Sequence, residues 1–423
     1  MRRERKAGKT VVALALLYGA QGVPFGFATE YLPVVLREHG YSYAAIASLF
    51  WLQLPWQLKI VWAKVADHPR IKPRARELIV VLQVALACTV AALATRSLTS
   101  APAFWFVLTA LAAALAATQD VFVDALAVRT LAKEDRGFGN TAQVAGYRAG
   151  MLVGGAGLLL AGAKLGEHWT LLGCALLVAC ASIGAFMVMG ESADGDDDAQ
   201  VAAQPRAIAP SRLAALVSHM LRRDTIVVLL VALTFKLGLH MASALLKPMA
   251  VDYGWTRAQI GYAMVTVGSV GALLGALVGG GMHRWLGEPR ALAVGVLVQA
   301  LVCVPLIFVE RLHAPLGLTT FAIAIEHFGS GLGTTVLFAA LMTATRPADA
   351  GLHYTVLTSA NALSIGLGSM ASGLLADHVG KLGAFVTATV VCALPWALLP
   401  RWERAAHASA QAPAERRLAT SST

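Results

Sequence analysis

Apolar residues fall into long runs divided by short polar breaks, and these runs set the architecture. They lie at 10–37, 43–66, 78–96, 102–130, 140–164 and 168–190, then at 224–252, 257–283, 290–310, 316–345, 350–376 and 382–400. At a rise of ~1.5 Å per residue, each can cross a hydrocarbon core ~30 Å thick. The pattern predicts an all-α membrane protein with twelve transmembrane helices in two groups of six.

The breaks divide the chain into an N-terminal six-helix bundle (1–190), a cytoplasmic linker (191–223), a C-terminal six-helix bundle (224–400) and a tail (401–423). In the linker, Asp194, Asp196, Asp197 and Asp198 stand among Ala, Gln and Pro, a composition that stays solvated. Ser211 then caps a short amphipathic helix carrying Leu213, Leu216, Val217, Met220 and Leu221, suited to lie along the inner membrane surface. The polar, Ala-rich tail is expected to be disordered and cytoplasmic. The basic start, Met1 to Lys9, resembles the charged part of a signal peptide, but the apolar run after it is too long, so an uncleaved first helix is expected.

Composition supports the membrane reading: 57% of residues are hydrophobic, 14% are charged and the mean hydropathy is +0.65. The net charge of +10 follows from topology. With both termini in the cytoplasm, most of the 34 Lys and Arg residues fall at inner helix ends and loops, as the positive-inside rule requires. They are scattered and lack stacking aromatics, so no nucleic-acid partner is implied; the basic tails suit anionic lipid of the bilayer. The five cysteines lie within apolar runs at no metal-like spacing, which implies packing roles, no metal and no cofactor.

The second half repeats the first. Gly40, Ala44 and Ile46 return as Gly254, Ala258 and Ile260, Arg76 as Arg290, and Gly137 as Gly351, each 214 residues later. A constant offset across three loops describes two parallel six-helix repeats, and this arrangement resembles the major facilitator fold. In that fold the first helix of each three-helix unit lines a central cavity. Here those helices carry Glu30, then Gln119, Asp120 and Asp124, then Lys236 and His240, and finally Glu326 and His327. Ionisable groups inside a bilayer are costly, and their default reading is functional.

Depth along the helices separates two sets. Lys236 and Glu326 fall near the midplane, with His240 one turn beyond Lys236, and are expected to pair; with Glu30, Gln119 and His327 they are the candidate substrate cavity. Asp120 and Asp124 share a helix face, and Arg148 and Lys59 lie at comparable depth. With the loop residue Asp67 they are the candidate proton-coupling site or cytoplasmic gate. A carboxylate there could exchange a proton as its exposure to water and to a neighbouring cation changes. Static salt bridges holding helices together are the competing explanation. Glycine stripes Gly146, Gly150, Gly154 and Gly271, Gly275, Gly279 mark helices 5 and 8, expected to face each other across the halves.

Gln21-Gly-Val-Pro-Phe-Gly, Leu54-Pro-Trp-Gln-Leu-Lys-Ile-Val-Trp-Ala-Lys-Val-Ala-Asp67, Gln119-Asp-Val-Phe-Val-Asp124, Arg136-Gly137 and Gly146-Tyr-Arg-Ala-Gly-Met151 resemble the AmpG-like muropeptide permease branch of the major facilitator superfamily. That branch includes siderophore permeases and, more distantly, acetyl-CoA transporters. The resemblance implies a proton-coupled importer of an organic solute, working by alternating access in a bacterial inner membrane. Such a facilitator can act as a monomer. An exporter shares the fold, and a membrane receptor or enzyme is the different-class alternative.

Overall fold

A computed structural model describes residues 2–59, 62, 65, 68–130, 136–183, 223–345 and 350–411. Among these the chain is helical throughout, without strands: α1 (Arg2–Gly26), α2 (Leu32–Glu38), α3 (Tyr43–Ala47), α4 (Leu54–Leu58), α5 (Ala75–Leu93), α6 (Pro102–Thr130), α7 (Arg136–Leu152), α8 (Leu158–Leu165) and α9 (Glu167–Cys180). There follow α10 (Arg223–Thr234), α11 (Leu237–Asp252), α12 (Arg257–Gly261), α13 (Gly268–Leu286), α14 (Glu288–Leu312), α15 (Leu316–Thr343), α16 (Ala350–Val391) and α17 (Leu399–Gln411). Nine helical stretches among the described residues are long and apolar enough to cross a membrane. The longest, His353–Ala397, joins two helices across Gly380, whose φ of 77° breaks the helical path. The expected linker helix at 211–223 lies outside the described residues, except for Arg223 at the start of α10.

The second apolar run does not form one helix. Its described part is α3, a tight 3-10 segment Ser48–Gln53 and α4, which begins around Pro55. The equivalent place 214 residues on, Tyr262–Val267, is a wide π segment between α12 and α13. Backbone dihedrals carry the same offset: Gly40 and Gly254 have φ of 80° and 71°, and Gly166 and Gly380 have 78° and 77°. Only glycine takes such angles without strain, so these four positions mark equivalent helix ends in the two repeats.

The chain forms two compact units, each described on its own. The first comprises Met1–Gly40, Leu49–Pro205 and Trp255–Gly261; the second comprises Tyr41–Ser48, Arg206–Gly254 and Tyr262–Thr423. Each repeat therefore lends the start of its second helix to the unit built mainly from the other. In the first unit the Arg257 guanidinium holds Glu38 through Nε, which donates to both carboxylate oxygens at 3.0 Å, and through a terminal N–H at 2.6 Å, and it reaches Glu167 at 3.2 Å. In the second, the Tyr43 hydroxyl bonds Asp252, its backbone N–H donates to Asp377 at 2.9 Å, and Lys381 reaches Asp252 at 3.2 Å. Glu38 and Asp252 are repeat equivalents, as are Tyr43 and Arg257.

Glycines bring helices together backbone to backbone inside each unit. A Cβ at Gly22 would lie 2.1 Å from the Tyr147 carbonyl oxygen, and one at Gly150 would lie 1.9 Å from that of Gly19. The stripe Gly146, Gly150, Gly154 thus packs on α1, and Gly271, Gly275, Gly279 pack on α15. This corrects the expectation that the two stripes face each other: close approach is spent within the units, where it gains dispersion contacts that lipid tails cannot match.

The tail also differs from expectation. Arg401 to Gln411 belong to α17, because Trp402, Ala405 and Ala406 at i, i+3 and i+4 give it one apolar face. Trp402 is fully buried against α10 and α14, and its indole N–H donates to Glu288 at 2.6 Å.

Candidate functional site

Two polar clusters stand in the apolar interior, one in each unit. In the first, α6 presents Asp120 and Asp124 one turn apart, and the chain leaving α4 brings Lys59 against them. The Lys59 ammonium bonds Asp120 and lies 3.7 Å from Asp124. Asp124 accepts the Tyr18 hydroxyl at 2.8 Å and the Gln143 amide N–H at 3.3 Å. The two carboxylates differ in access: the Asp120 side chain is 10% exposed and that of Asp124 is 40% exposed. One acid is held in a close ion pair, and the other keeps an exposed face beside the same cation.

In the second unit the helical path is interrupted at Lys236, whose φ of −106° and ψ of 0° separate α10 from α11. The Lys236 side chain is buried and donates to Thr334 Oγ1 at 2.5 Å and to Ser330 O and Oγ, both at 3.2 Å. Glu326, also buried, is bonded by the Ser243 hydroxyl and lies 2.8 Å from His327 Nδ1. The His327 ring stands against Gly268, where any side chain would collide with it at 2.6 Å. His240 is half-buried, and its Nε2 has no protein partner.

Comparison with known proteins gives this arrangement its class. The sequence model of the Major Facilitator Superfamily matches residues 10–309 and 228–422. The chain belongs to the major facilitator superfamily. It is therefore a multi-pass membrane transporter, and AmpG-type proteins stand among its relatives. It is 24% identical over 379 residues to a putative transporter AmpG 4 of Rickettsia conorii, covering 88% of this chain and 91% of that one. It is 25% identical over 396 residues to the anhydromuropeptide permease of Escherichia coli, covering 92% of this chain and 78% of that one. Among solved structures it matches a bacterial homolog of the human lysosomal transporter Spinster, inward-facing and unoccupied, with a TM-score of 0.68 at 12% identity over 97% of this chain and 99% of that one. A D-xylose-proton symporter gives a TM-score of 0.63 at 13% identity over 94% and 97%.

Within this transporter fold the sequence-derived candidates separate. Lys59, Asp120 and Asp124 come together. Arg148 does not join them: it is exposed, two residues from Gly146 and Gly150, which face α1, and so points the other way round its helix. Gln119 stands apart from the other candidate cavity residues. It is fully buried and its amide bonds Gln83, which in turn donates to the Val178 carbonyl at 2.5 Å, a chain of amides tying α6 to α5 and α9. Glu30 is half-buried, with its stem against Gly155. Asp67 lies outside the described residues. Lys236 and Glu326 share a cluster without the expected direct pair, because hydroxyls and His327 reach each of them first.

Tyr18, Gln143, Ser243, Ser330 and Thr334 join the clusters as residues that depth alone does not select. Spacing marks three of them: Ser330 and Thr334 continue Glu326 at i+4 and i+8, and Ser243 follows Lys236 at i+7. Among the aromatics of the first unit, Phe25 packs edge-on against Trp56 with centroids 5.5 Å apart, and buried Tyr31 stacks on Phe27 at 5.3 Å.

Proposed function

We propose that this transporter imports a muropeptide-type solute together with protons, by alternating access across the bacterial inner membrane. In this reading it works as a monomer of twelve membrane helices, with both termini in the cytoplasm. The relatives' names support the solute class, and the distribution of Lys and Arg supports the orientation.

One observation carries the coupling. Lys59 is shared by two carboxylates of unequal access, and Asp124 is the more exposed of them. A proton arriving on Asp124 cancels its charge, leaves Lys59 to Asp120 alone, and frees Tyr18 and Gln143 from a charged acceptor. Asp124 is thus the exchanging acid and Asp120 the fixed partner. Lys236, His240, Glu326 and His327 are the groups that meet solute.

The test is solute-driven proton movement in proteoliposomes of the purified chain. An anhydromuropeptide is expected to drive proton uptake in the wild type, and Asp124→Asn is expected to abolish it. Solute uptake with no proton movement in the wild type would remove the coupling, and outward-directed accumulation would make the chain an exporter.

A further inference from the structure

Lys236 is a buried cation whose hydrogen-bond partners are all neutral oxygens. Its three contacts are a threonine hydroxyl, a serine hydroxyl and a backbone carbonyl. Burying a charge is costly unless an opposite charge and hydrogen bonds compensate it, and hydroxyls provide only the second. Glu326, the acid of the same cluster, acts on Lys236 through space but makes no direct bond to it, being engaged by Ser243 and His327.

The repeat shows which group is missing. The position equivalent to Thr334 is Asp120, 214 residues earlier, and Asp120 answers its lysine with a carboxylate. Thr334 answers Lys236 with a hydroxyl in the same register. Two further polar atoms near the helix break also lack partners. His240 Nε2 is one; the other is Ser364 Oγ, fully buried one turn before Gly368, which packs against the Leu237 carbonyl and the His240 side chain.

We propose that the second unit binds a carboxylate of the transported solute at Lys236. The carboxylate supplies to Lys236 the charge that Asp120 supplies to Lys59, and His240 Nε2 and Ser364 Oγ donate hydrogen bonds to the same group. This deepens the preceding reading by naming the end of the solute that is recognised, and it rests on that reading for the choice of solute. The recognised class is an organic acid; its neutral amide is rejected because it cannot pay for a buried cation.

Uptake into proteoliposomes by the full chain, comparing an anhydromuramyl peptide with the same compound carrying amides in place of its carboxylates, tests this. The acid is expected to be taken up at least tenfold more effectively than the amide. Thr334→Asp, which installs an internal carboxylate, is expected to lower uptake of the acid at least tenfold, and Lys236→Arg to retain the preference. Equal uptake of acid and amide by the wild type overturns the carboxylate site and leaves the muropeptide reading standing. Uptake of neither probe overturns the muropeptide reading. The carboxylate site is then decided by thermal unfolding of the wild type with small sugar acids and peptide acids against their amides: stabilisation by acids alone, lost in Thr334→Asp, supports it, and no difference overturns it.

Discussion

Lys59 and Lys236 meet equivalent positions of equivalent helices, yet one finds Asp120 and the other Thr334. The lysines themselves are not equivalents. The place of Lys236 in the first repeat is Gly22, which packs on the Tyr147 carbonyl, and the place of Lys59 in the second is Leu273, an exposed apolar residue. The two repeats keep the left-handed glycines that end their helices, while the chemistry between them differs. The difference teaches a division of labour. On the proposed reading, a lysine with two acids of its own forms an internal switch and needs no ligand, whereas a lysine bonded only by neutral oxygens is completed by the solute.

The strongest way to break this comparison is Lys59→Met. It leaves Asp120 buried without its cation, and removal of one partner from a buried pair costs about 3–5 kcal/mol. A large fall in the thermal unfolding temperature of the purified protein is expected, with partial recovery when Asp120→Asn removes the stranded charge. Gly22→Ala comes next. A methyl 2.1 Å from a carbonyl oxygen forces α1 from α7, with an expected loss of about 1–3 kcal/mol in the same measurement. Tyr18→Phe sharpens the comparison at Asp124: one hydrogen bond of three contacts goes, worth about 1 kcal/mol, so proton-driven uptake should fall roughly fivefold at unchanged expression. Ser243→Ala should matter least. His327 still holds Glu326, and uptake is expected to change by less than about threefold.

The helices and the repeat were legible because hydrophobic run length and glycine position are written directly in one dimension. The clusters were legible in depth but not in direction. Arg148 matches the acids in depth and fails because the glycines beside it fix which face meets α1. Gln119 fails for a related reason: one residue from Asp120 is a turn of about 100° round the helix, which carries its amide to Gln83 instead. The Lys236–Glu326 pair was a sound match of charges, but Thr334 and Ser330 lie on the face that Lys236 reaches, and a hydroxyl at i+4 carries no hydropathy signal among glycines. The exchange of Tyr41–Ser48 and Trp255–Gly261 depends on contacts hundreds of residues apart, which no local pattern encodes. The helix at Trp402 was hidden by a composition rich in alanine and charge.

The most direct test of the central claim separates coupling from solute binding in Asp124→Asn. Uptake driven by a pH gradient and solute exchange at equal concentrations and equal pH are measured in the same proteoliposomes. The account predicts that gradient-driven accumulation is lost while exchange continues, because the switch lies in one unit and the solute's carboxylate is held in the other. Accumulation that persists, or exchange that disappears with it, would contradict that division.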